Sequence, residues 1–456
     1  MLVSVPTFAQ RWSPAEVVTV APSDVLTGGA PLAVNGGPKS RTRPEPPMFP
    51  GGMEIGDAER AAVLDVLDSK RLIRFYGPDD TITYSAVDTF EQRFAERMGT
   101  PYALGLTSGT AALITGLAAL GIGPGDEVIV PAYTFVASPS AVLAVGGIPV
   151  ITEVDDTLTL DPAAVRANIT PHTRAIMPVH MRGVPSQMDE LQAIAREHNL
   201  VIIEDAAQAC GASYKGRPVG SIGEVGCFSL QMHKVITTGE GGMLLTSNAE
   251  TLFRAKCFHD SASEWRGAAW QDPDPAVRAT FQAFPGMNFR MPEITAALGS
   301  VQLDRLNGLV GRMRTHKAVL RAAVAATKRV ELRRLPDAHG DAAIAMIFFT
   351  ETPLLAQRVA QALVAEGVGA RVLYVEGQHD WHIYACWRDI LAKRTWNAAG
   401  YPFSMARRPI EYDANMCPQT LSLLQRAVHL DVSPRLSAQD VEETAGALHK
   451  VLTALC

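Results

Sequence analysis

A lysine lies between an apolar run and a glycine-rich run in the segment GCFSLQMHKVITTGEGGMLL, residues 226–245. Ser229 precedes Lys234 by five residues, on an apolar run that predicts a strand leading into the glycine-rich turn. A lone lysine at such a place is usually a surface residue, because its ammonium group is strongly hydrated. The alternative is a lysine whose amine bonds covalently to a carbonyl carbon, as in nucleophilic catalysis.

Two other polar groups lie at the ends of predicted strands. Asp205 ends the apolar strand VIIED, where a carboxylate is either the N-cap of the next helix or a functional acid. Residues 108–110, Ser-Gly-Thr, lie between a predicted strand and a predicted helix. Free backbone N–H groups and the helix dipole at such a turn bind a phosphate, although the same three residues are also a common capping sequence.

One cofactor would use all of these groups. Pyridoxal phosphate needs an amine, an acid that keeps its ring nitrogen protonated, an anion cradle for its phosphate and a flat surface for its ring. Lys234, Asp205, the turn at 108–110 with Ser229, and Phe135 in PAYTFVAS would supply these in turn. The residues therefore predict a pyridoxal 5'-phosphate site, in which the Lys234 amine moves a proton to and from the substrate carbon.

Composition favours small-molecule chemistry. The chain has 456 residues, 47% apolar and 19% charged, which predicts a globular enzyme with two domains of unequal size. Its net charge of -6 is spread without long blocks of one sign, so we expect neither a nucleic-acid partner nor an anionic membrane surface.

The cysteines and the apolar segments predict a cytoplasmic location. The six cysteines form no CxxC pair, which favours reduced thiols over disulfides or a metal site. No stretch reaches the roughly 18 apolar residues of a membrane span. The N-terminus also lacks a basic region followed by an apolar core, so no signal peptide is expected.

The elements that must position the polar groups follow an α/β pattern. Short apolar runs such as YALGL, EVIVP and LVIIED alternate with helical patterns such as GTAALITGLAAL and MDELQAIAREH. Strands that are apolar on both faces predict a mostly parallel sheet flanked by helices, and ligands of such sheets bind at the carboxyl ends of the strands.

Three regions are predicted along the chain. Residues 1–48 are rich in Pro, Gly, Ala and Val without a sustained period, which predicts an extended arm lying on the fold or on a partner. Residues 49–310 form a large domain with the predicted cofactor site. Residues 311–456, where a long helical pattern is followed by VELRRL, AIAMIFFT and a last helix from Ser437, form a smaller α/β domain.

Four motifs carry a resemblance to a known family. SGTAAL, PAYTFVAS, the run from EDAAQACG to GEGGML, and GMNFRMPEITAALGSVQLDRL occur in this order. They resemble the signatures of the DegT/StrS-like sugar aminotransferases, which have fold type I. The resemblance is close over roughly residues 50–310 and looser beyond. It implies a large domain with a mostly parallel sheet flanked by helices and a smaller C-terminal α/β domain.

The resemblance also implies a role for each matching residue. Asn288 in GMNFRM matches an asparagine that reaches the phosphate of the neighbouring subunit's cofactor, which implies a homodimer with shared active sites. Arg290 is either a second contact of this kind or a surface salt bridge. The other implied roles are the Schiff-base lysine for Lys234, the pyridine-nitrogen partner for Asp205, the ring-hydroxyl contact for Gln208, ring stacking for Phe135, and phosphate binding for Ser108, Gly109, Thr110 and Ser229.

The sequence departs from the family pattern at VHMRGVP, where Arg182 replaces an aromatic residue. His180 and Arg182 follow a predicted strand, so both side chains can face the substrate. The alternatives are that His180 packs inside the fold and that Arg182 points to solvent. His382 and Tyr384 lie in a segment rich in Trp, His and Tyr, which either shapes the substrate entrance or packs between domains.

The sequence predicts an aminotransferase. The expected reaction moves an amino group from glutamate or glutamine to a keto-sugar, a nucleotide keto-sugar or a keto-cyclitol, in the biosynthesis of an amino sugar or aminocyclitol natural product. The family also contains dehydratases in which a histidine replaces the lysine. Ser229 plus five is Lys234, so His233 is an extra neighbour and a transaminase is favoured. A dehydratase of the same fold and a non-catalytic pyridoxal-phosphate-binding regulator are the alternatives.

Overall fold

The computed structural model describes residues 31–74, 85–261 and 282–456. Helices and strands alternate along most of this length. The α-helices are α1 Asp57–Ser69, α2 Ala86–Met98, α3 Gly109–Ala119, α4 Ala137–Ala144, α5 Pro162–Asn168, α6 Met188–His198, α7 Ala249–His259, α8 Glu293–Ala325, α9 Pro353–Ala365, α10 Arg388–Leu391, α11 Pro418–Arg426 and α12 Ala438–Leu455. The strands are β1 Tyr102–Leu106, β2 Glu127–Pro131, β3 Ile148–Thr152, β4 Thr173–Ile176, β5 Val201–Asp205, β6 Ser213–Tyr214, β7 Arg217–Pro218, β8 Val225–Ser229, β9 Gly242–Thr246, β10 Val330–Leu332, β11 Ala345–Thr350, β12 Ala370–Val372 and β13 Ala427–Asp431.

A seven-stranded sheet forms the centre of the large domain, in the order β1-β9-β8-β5-β4-β2-β3. Strand β9 is antiparallel to both of its neighbours, and the other strand pairs are parallel. All five residues of β2, β3, β8 and β9 are buried, as expected for a sheet with helices on both faces. The predicted α/β fold of mostly parallel strands is confirmed.

The sequence patterns locate most of these elements correctly. The runs YALGL and EVIVP are β1 and β2, residue for residue. The segment SAVDTFEQRFAERMG, residues 85–99, predicts a helix with Ser85 as its N-cap and with one apolar face, and α2 forms there. The Ser85 hydroxyl caps that helix by accepting a hydrogen bond from the Asp88 N–H. Val87, Phe90, Phe94 and Met98 are all buried on the predicted apolar face.

A second sheet of four antiparallel strands, in the order β10-β11-β13-β12, lies in the C-terminal part of the chain. Helices α9 and α12 pack near it, and Ser437 caps α12 as predicted. Helix α8 extends from residue 293 to residue 325 and so runs through the predicted domain boundary at residue 310. The exact division of the chain stays a prediction.

Residues 31–48 lie against the C-terminal region. The carboxylate of Glu366, which is fully buried, accepts hydrogen bonds from the backbone N–H groups of Ala33 and Ser40 and from the ammonium of Lys450. The Arg41 guanidinium, also buried, forms an ion pair of 3.0 Å with Asp440. This part of the predicted arm is therefore fastened to its own chain, while residues 1–30 lie outside the described residues.

Two kinds of feature do not occur within the described ranges. No helix among them combines the length and the apolar character that crossing a membrane requires. No group of three or more His, Cys, Asp and Glu side chains in the same ranges is placed to hold a metal ion.

Candidate active site

The predicted cofactor residues gather at one edge of the large sheet. Asp205 is the last residue of β5, Ser229 is the last residue of β8, and Gly109 begins α3 just after β1. These three strands share a direction, so their carboxyl ends meet at the same edge. Lys234 lies in the loop that joins β8 to β9 and follows that edge.

Lys234 is half-buried, and its environment favours the neutral amine. Burial lowers the pKa of Lys234 most, and the positive charge of Arg182 lowers it further. The negative charge of Asp205 opposes both effects. A lysine with a lowered pKa is a better nucleophile and proton acceptor at neutral pH than a surface lysine is.

Asp205 is a buried carboxylate, 5% exposed, held by two hydrogen bonds. The Ser138 hydroxyl donates to Oδ2 at 2.7 Å, and the Ala207 N–H donates to Oδ1 at 3.1 Å. Burial raises the pKa of Asp205 despite these bonds and despite the charge of Lys234. No Lys, Arg or His nitrogen of the described residues lies within 4.0 Å of this carboxylate, so a bound cation would stabilise its charged form.

The N-terminus of α3 is packed against the end of β8. A Cβ added at Gly109 would lie 2.7 Å from Ser229 Cβ, so only glycine permits this approach. A Cβ at Gly242, the first residue of β9, would lie 2.2 Å from the Ser108 carbonyl oxygen, which explains the glycine at this position. The Ser108 hydroxyl accepts a hydrogen bond from the Ala111 N–H and caps the helix. The first amides of α3, at Gly109 and Thr110, have no acceptor within the helix and remain available to an anion.

Arg182 lies in a turn that follows β4, beside the cleft, which is the space next to Lys234 and Asp205. Its backbone N–H donates to Gln208 Oε1 at 3.2 Å, and its Nε donates to the Tyr133 hydroxyl at 3.4 Å. Because Gln208 Oε1 accepts here, its amide group is left to donate toward a ligand. Because Arg182 is half-buried, its position favours the alternative in which it faces the substrate over the one in which it faces solvent.

A histidine from the C-terminal region joins the same cleft. Residues 381–383 run beside residues 133–136, where the Thr134 N–H donates to the His382 carbonyl at 2.9 Å. The His382 and Phe135 ring centroids are 5.4 Å apart. Asp380 accepts a hydrogen bond of 2.8 Å from His382 Nδ1 and so fixes the ring, and within the described part of the chain Nε2 has no partner and can accept. Burial lowers the pKa of His382 most, followed by the charge of Arg182.

Comparison with known proteins shows which family the chain belongs to. Residues 54–401 match the DegT/DnrJ/EryC1/StrS aminotransferase family. The chain belongs to this family. It is therefore an aminotransferase with pyridoxal 5'-phosphate as its cofactor, as the motifs predicted.

Individual relatives agree with the family assignment. The chain is 33% identical to an L-glutamine:2-deoxy-scyllo-inosose aminotransferase from Streptomyces fradiae over 93% of its own length and 98% of that protein. It is 45% identical to a GDP-perosamine synthase from Caulobacter vibrioides over 48% of its own length, and this match spans about half, 56%, of that relative. The crystal structure of 3-amino-5-hydroxybenzoic acid synthase superposes with a TM-score of 0.71 at 28% identity, over 90% of this chain and 100% of that one.

The residues present fit the cofactor of this aminotransferase family. Asp205, a buried acid with no cation close by among the described residues, suits the ring nitrogen. The half-buried Lys234 suits the aldehyde. The N-terminus of α3, where a Cβ at Gly109 would fill the space, suits the phosphate. Phe135 is 45% exposed, and its open ring face is suited to stacking. The assignment of each contact stays a prediction. When bound, the cofactor supplies an electron sink for the carbon that loses or gains the proton.

Two predicted substrate contacts have structural places instead. His180 is fully buried; its Nδ1 accepts from the Ser186 N–H at 3.0 Å, so Nε2 carries the proton and donates to Glu204 at 2.9 Å. Tyr384 is also fully buried, and its hydroxyl accepts from the Cys417 N–H at 2.9 Å. Neither side chain is exposed to a substrate, so the packing alternative holds for both and the substrate-facing one is corrected.

Asn288 and Arg290 lie beside the α3 turn rather than inside the cleft. Asn288 is exposed, and its neighbour Phe289 accepts a hydrogen bond from the Thr107 N–H at 3.1 Å. Arg290 forms an ion pair of 2.6 Å with the buried Asp260. Arg290 therefore has an acidic partner in its own chain. This favours the salt-bridge alternative, although the salt bridge is partly buried and not on the surface. Most of the preceding loop, residues 262–281, lies outside the described residues.

Sequence reasoning missed three polar residues of the site. Ser138 donates to Asp205 and shares a hydrogen bond of 2.8 Å with Thr134, and Asp380 orients His382. Ser138 lies three residues after Phe135, in the first turn of α4, so the PAYTFVAS motif contained the signal. Asp380 could have been found from its spacing of two residues to His382, which suits a side chain that accepts from its neighbour's ring and backbone.

Proposed function

We propose that this aminotransferase moves an amino group from glutamine or glutamate to the ketone of a keto-sugar, a nucleotide keto-sugar or a keto-cyclitol. A keto-cyclitol is the first candidate acceptor, because the relative that aligns over nearly the whole chain acts on 2-deoxy-scyllo-inosose by name. A nucleotide-linked keto-sugar is the second, because a segment with higher identity is shared with a GDP-perosamine synthase. The expected product is an amino sugar or aminocyclitol.

The observation that carries the proposal is the pair Lys234 and Asp205 at one sheet edge. Burial lowers the pKa of Lys234, which keeps a fraction of its amine neutral and able to take a proton from the donor carbon. Asp205 would hold the cofactor ring nitrogen protonated, and its bond from Ser138 orients the carboxylate. Lys234 would later return the proton to the acceptor carbon, so one amine serves both half-reactions.

The remaining polar groups are suited to a polyhydroxylated acceptor. The free Nε2 of His382 can accept a hydrogen bond from a sugar or cyclitol hydroxyl, since Asp380 holds the proton on Nδ1. Phe135 and Trp381 are both partly open apolar surfaces in the same region, 45% and 49% exposed. Aromatic faces of this kind stack well on the C–H face of a sugar or cyclitol ring.

A two-part assay tests the function. Purified enzyme is converted to the pyridoxamine form with glutamine or with glutamate, and is then mixed with a panel of keto-sugars, nucleotide keto-sugars and keto-cyclitols. We expect the pyridoxal absorbance to return with at least one member, most rapidly with a keto-cyclitol. A panel that leaves the pyridoxamine form unchanged, or a product that has lost water without gaining nitrogen, would contradict the proposal. The second outcome would indicate a dehydratase.

We also propose that the active protein is a homodimer whose sites are shared. Asn288 is exposed, yet it lies on a segment that is bonded to the residue just before the α3 turn. An exposed amide beside the predicted phosphate site supports a contact with the equivalent site of a second copy across a twofold axis. Separately, turnover measured with any acceptor of the panel would exclude the alternative that the protein is a non-catalytic regulator that binds pyridoxal phosphate.

A further inference from the structure

Arg182 is a cation in the catalytic cleft without a close acidic partner. Its guanidinium makes one hydrogen bond within the described residues, from Nε to the Tyr133 hydroxyl. No carboxylate of the described chain lies within 4.0 Å of its nitrogens, although Asp380 and Asp431 act on its charge from farther away. The two terminal nitrogens therefore remain free to bind a ligand. A half-buried cation of this kind is expected to pair with an anion.

The backbone holds Arg182 in this position in a conformation that side chains rarely adopt. Its φ of 54° and ψ of 38° lie in the left-handed region, where residues other than glycine are uncommon. Two contacts maintain the turn: the Arg182 N–H donates to Gln208, and the fully buried guanidinium of Arg333 donates to the Met181 carbonyl at 2.8 Å. Unusual backbone held by surrounding contacts is typical of functional positions.

The position of Arg182 limits which anion it can bind. The Arg182 turn is fastened beside Asp205, because the His180 N–H donates to the Asp205 carbonyl at 3.1 Å and the Arg182 N–H donates to Gln208. An anion bound to Arg182 would therefore lie on the side of the cleft that holds Asp205 and Lys234, near the carbon that exchanges its proton with the lysine amine. Every α-amino acid donor carries a carboxylate on that same carbon. The ketone carbon of a keto-sugar or keto-cyclitol carries no charged group. Of the two substrates, the donor is therefore the one that brings an anion to this place in every reaction.

We propose that Arg182 binds the α-carboxylate of the amino-acid donor and so selects α-amino acids as the nitrogen source. This inference rests on the proposed function. The planar guanidinium can donate two parallel hydrogen bonds to a carboxylate from Nη1 and Nη2. The bond from Nε to Tyr133 orients the plane, and the turn held by Gln208 and Arg333 fixes the base of the side chain.

The test compares the two half-reactions in Arg182→Asn and Arg182→Lys. Asparagine tolerates the left-handed backbone, so Arg182→Asn removes the charge with little strain. We expect kcat/KM of the donor half-reaction with L-glutamine to fall by about 10- to 100-fold, the range for losing a charge-assisted pair of hydrogen bonds. The acceptor half-reaction with a keto-cyclitol is expected to change by less than about 3-fold. Arg182→Lys should retain part of the donor activity, because it keeps the charge but not the fork.

Two binding measurements separate this role from a general loss of activity. Wild type should prefer L-glutamine over its α-carboxamide, and Arg182→Asn should lose that preference. Calorimetric titration with α-methyl-L-glutamine, which has no α-proton to lose, should show a Kd raised by the same factor as the donor kinetics. Arg334→Asn is the matched control, because Arg334 pairs with Asp155 and Asp156 outside the cleft and its loss should leave both half-reactions unchanged.

Three results would overturn the inference. An unchanged Kd for α-methyl-L-glutamine in Arg182→Asn would show that the carboxylate binds elsewhere. A loss confined to acceptors that carry a phosphate or carboxylate would assign Arg182 to the acceptor. An equal loss of both half-reactions together with weaker cofactor binding would make Arg182 a residue that positions Gln208.

If wild type binds the donor analogue but no acceptor restores the pyridoxal form, the proposed function fails while the role of Arg182 stands.

Discussion

Lys234 and Asp205 illustrate how burial assigns chemistry to ordinary residues. The same burial acts in opposite directions on the two groups: it lowers the pKa of the lysine and raises the pKa of the acid. A bound cofactor with a positively charged ring nitrogen would favour the ionised form of Asp205 and so oppose the effect of burial. The lysine, in contrast, has to stay partly neutral to exchange a proton. With both side chains at one sheet edge, the cofactor ring nitrogen can lie against Asp205 while the Lys234 amine faces the reacting carbon.

At this scale the first prediction concerns Lys234→Ala. The variant should fold and should retain noncovalent cofactor binding, because Asp205 and the α3 turn are unchanged. It should lose nearly all amino transfer, since no amine remains to bond to the cofactor or to move the proton. Borohydride reduction followed by peptide mapping checks the assignment in wild type. A labelled peptide that does not contain Lys234 would contradict it.

The second prediction concerns Asp205→Asn. An amide cannot hold the ring nitrogen of the cofactor protonated, so both half-reactions should slow by about 100-fold or more, as is usual when a preorganised charge is removed from an active site. The covalent link through Lys234 should persist. Stopped-flow measurement of each half-reaction is the test, and Ser138→Ala is a milder companion that removes only the bond to Oδ2. Rates near those of wild type would remove Asp205 from this role.

Among the elements, the junction between α3 and β8 is the one that shapes the predicted phosphate site. The amides at the start of α3 can serve a phosphate only if β8 passes close beside them, and the absence of a side chain at Gly109 permits this approach. Gly242 allows β9 to pass equally close to Ser108 from the other side. The predicted phosphate site therefore depends on two strands and one helix, and no single element forms it.

Gly109→Ala tests this junction. The added Cβ would lie 2.7 Å from Ser229 Cβ, so α3 and β8 would have to separate. We expect a loss of about 1–3 kcal/mol in unfolding free energy, the usual cost of overpacking, together with a raised Kd for pyridoxal phosphate. Denaturant unfolding and cofactor titration measure the two effects. Gly311→Ala on α8 is the control: a Cβ there meets no atom within 4 Å, and the helix should gain up to about 1 kcal/mol.

At the scale of the whole molecule, the described part of the N-terminal arm is fastened through Glu366. Burial by itself would raise the pKa of Glu366, but hydrogen bonds from Lys450, Ala33 and Ser40 outweigh it and lower the pKa. A lowered pKa means that this carboxylate stabilises the fold above its unfolded pKa and that the contribution is lost as the pH falls through the folded pKa. The arm should therefore be most firmly held at neutral pH.

Glu366→Gln should destabilise the protein at pH 7 by about 1–3 kcal/mol, because the partly buried ammonium of Lys450 loses its charged partner. The difference from wild type should stay constant down to about pH 4.3, the usual value for a glutamate, and should shrink only below it. Chemical denaturation at several pH values measures this. Glu351→Gln is the control, since Glu351 pairs with Arg329 at an exposed site and its loss should lie within experimental error.

Sharing of active sites between subunits is testable by complementation. If Asn288 serves the neighbouring site, the inactive variants Lys234→Ala and Asn288→Ala should restore each other when mixed, because the heterodimer contains one site with neither change. Random exchange makes about half of the dimers mixed, so activity should approach roughly a quarter of wild type per site. Mixing Lys234→Ala with Asp205→Asn is expected to restore nothing if both residues serve their own chain's site. Recovery in neither mixture would place Asn288 in its own chain's site.

The sequence by itself determined many of the elements and predicted the cofactor residues. Apolar periodicity located the strands, helix caps such as Ser85 and Ser437 located helix starts, and four ordered motifs marked Lys234, Asp205 and the α3 turn. These features are local, because they depend on residues close together in the chain. The spacing of Lys234 from Ser229 was informative for the same reason.

Only the tertiary structure decided between alternatives for residues outside the motifs. His180 and Arg182 are two residues apart after the same strand, yet one is enclosed by Glu204 and Ser186 while the other opens into the cleft. His382 reaches the site from far beyond Lys234 in the chain because its segment pairs with residues 133–136. Burial and pairing of this kind depend on chain segments far apart in sequence, and no local pattern of residues contains them.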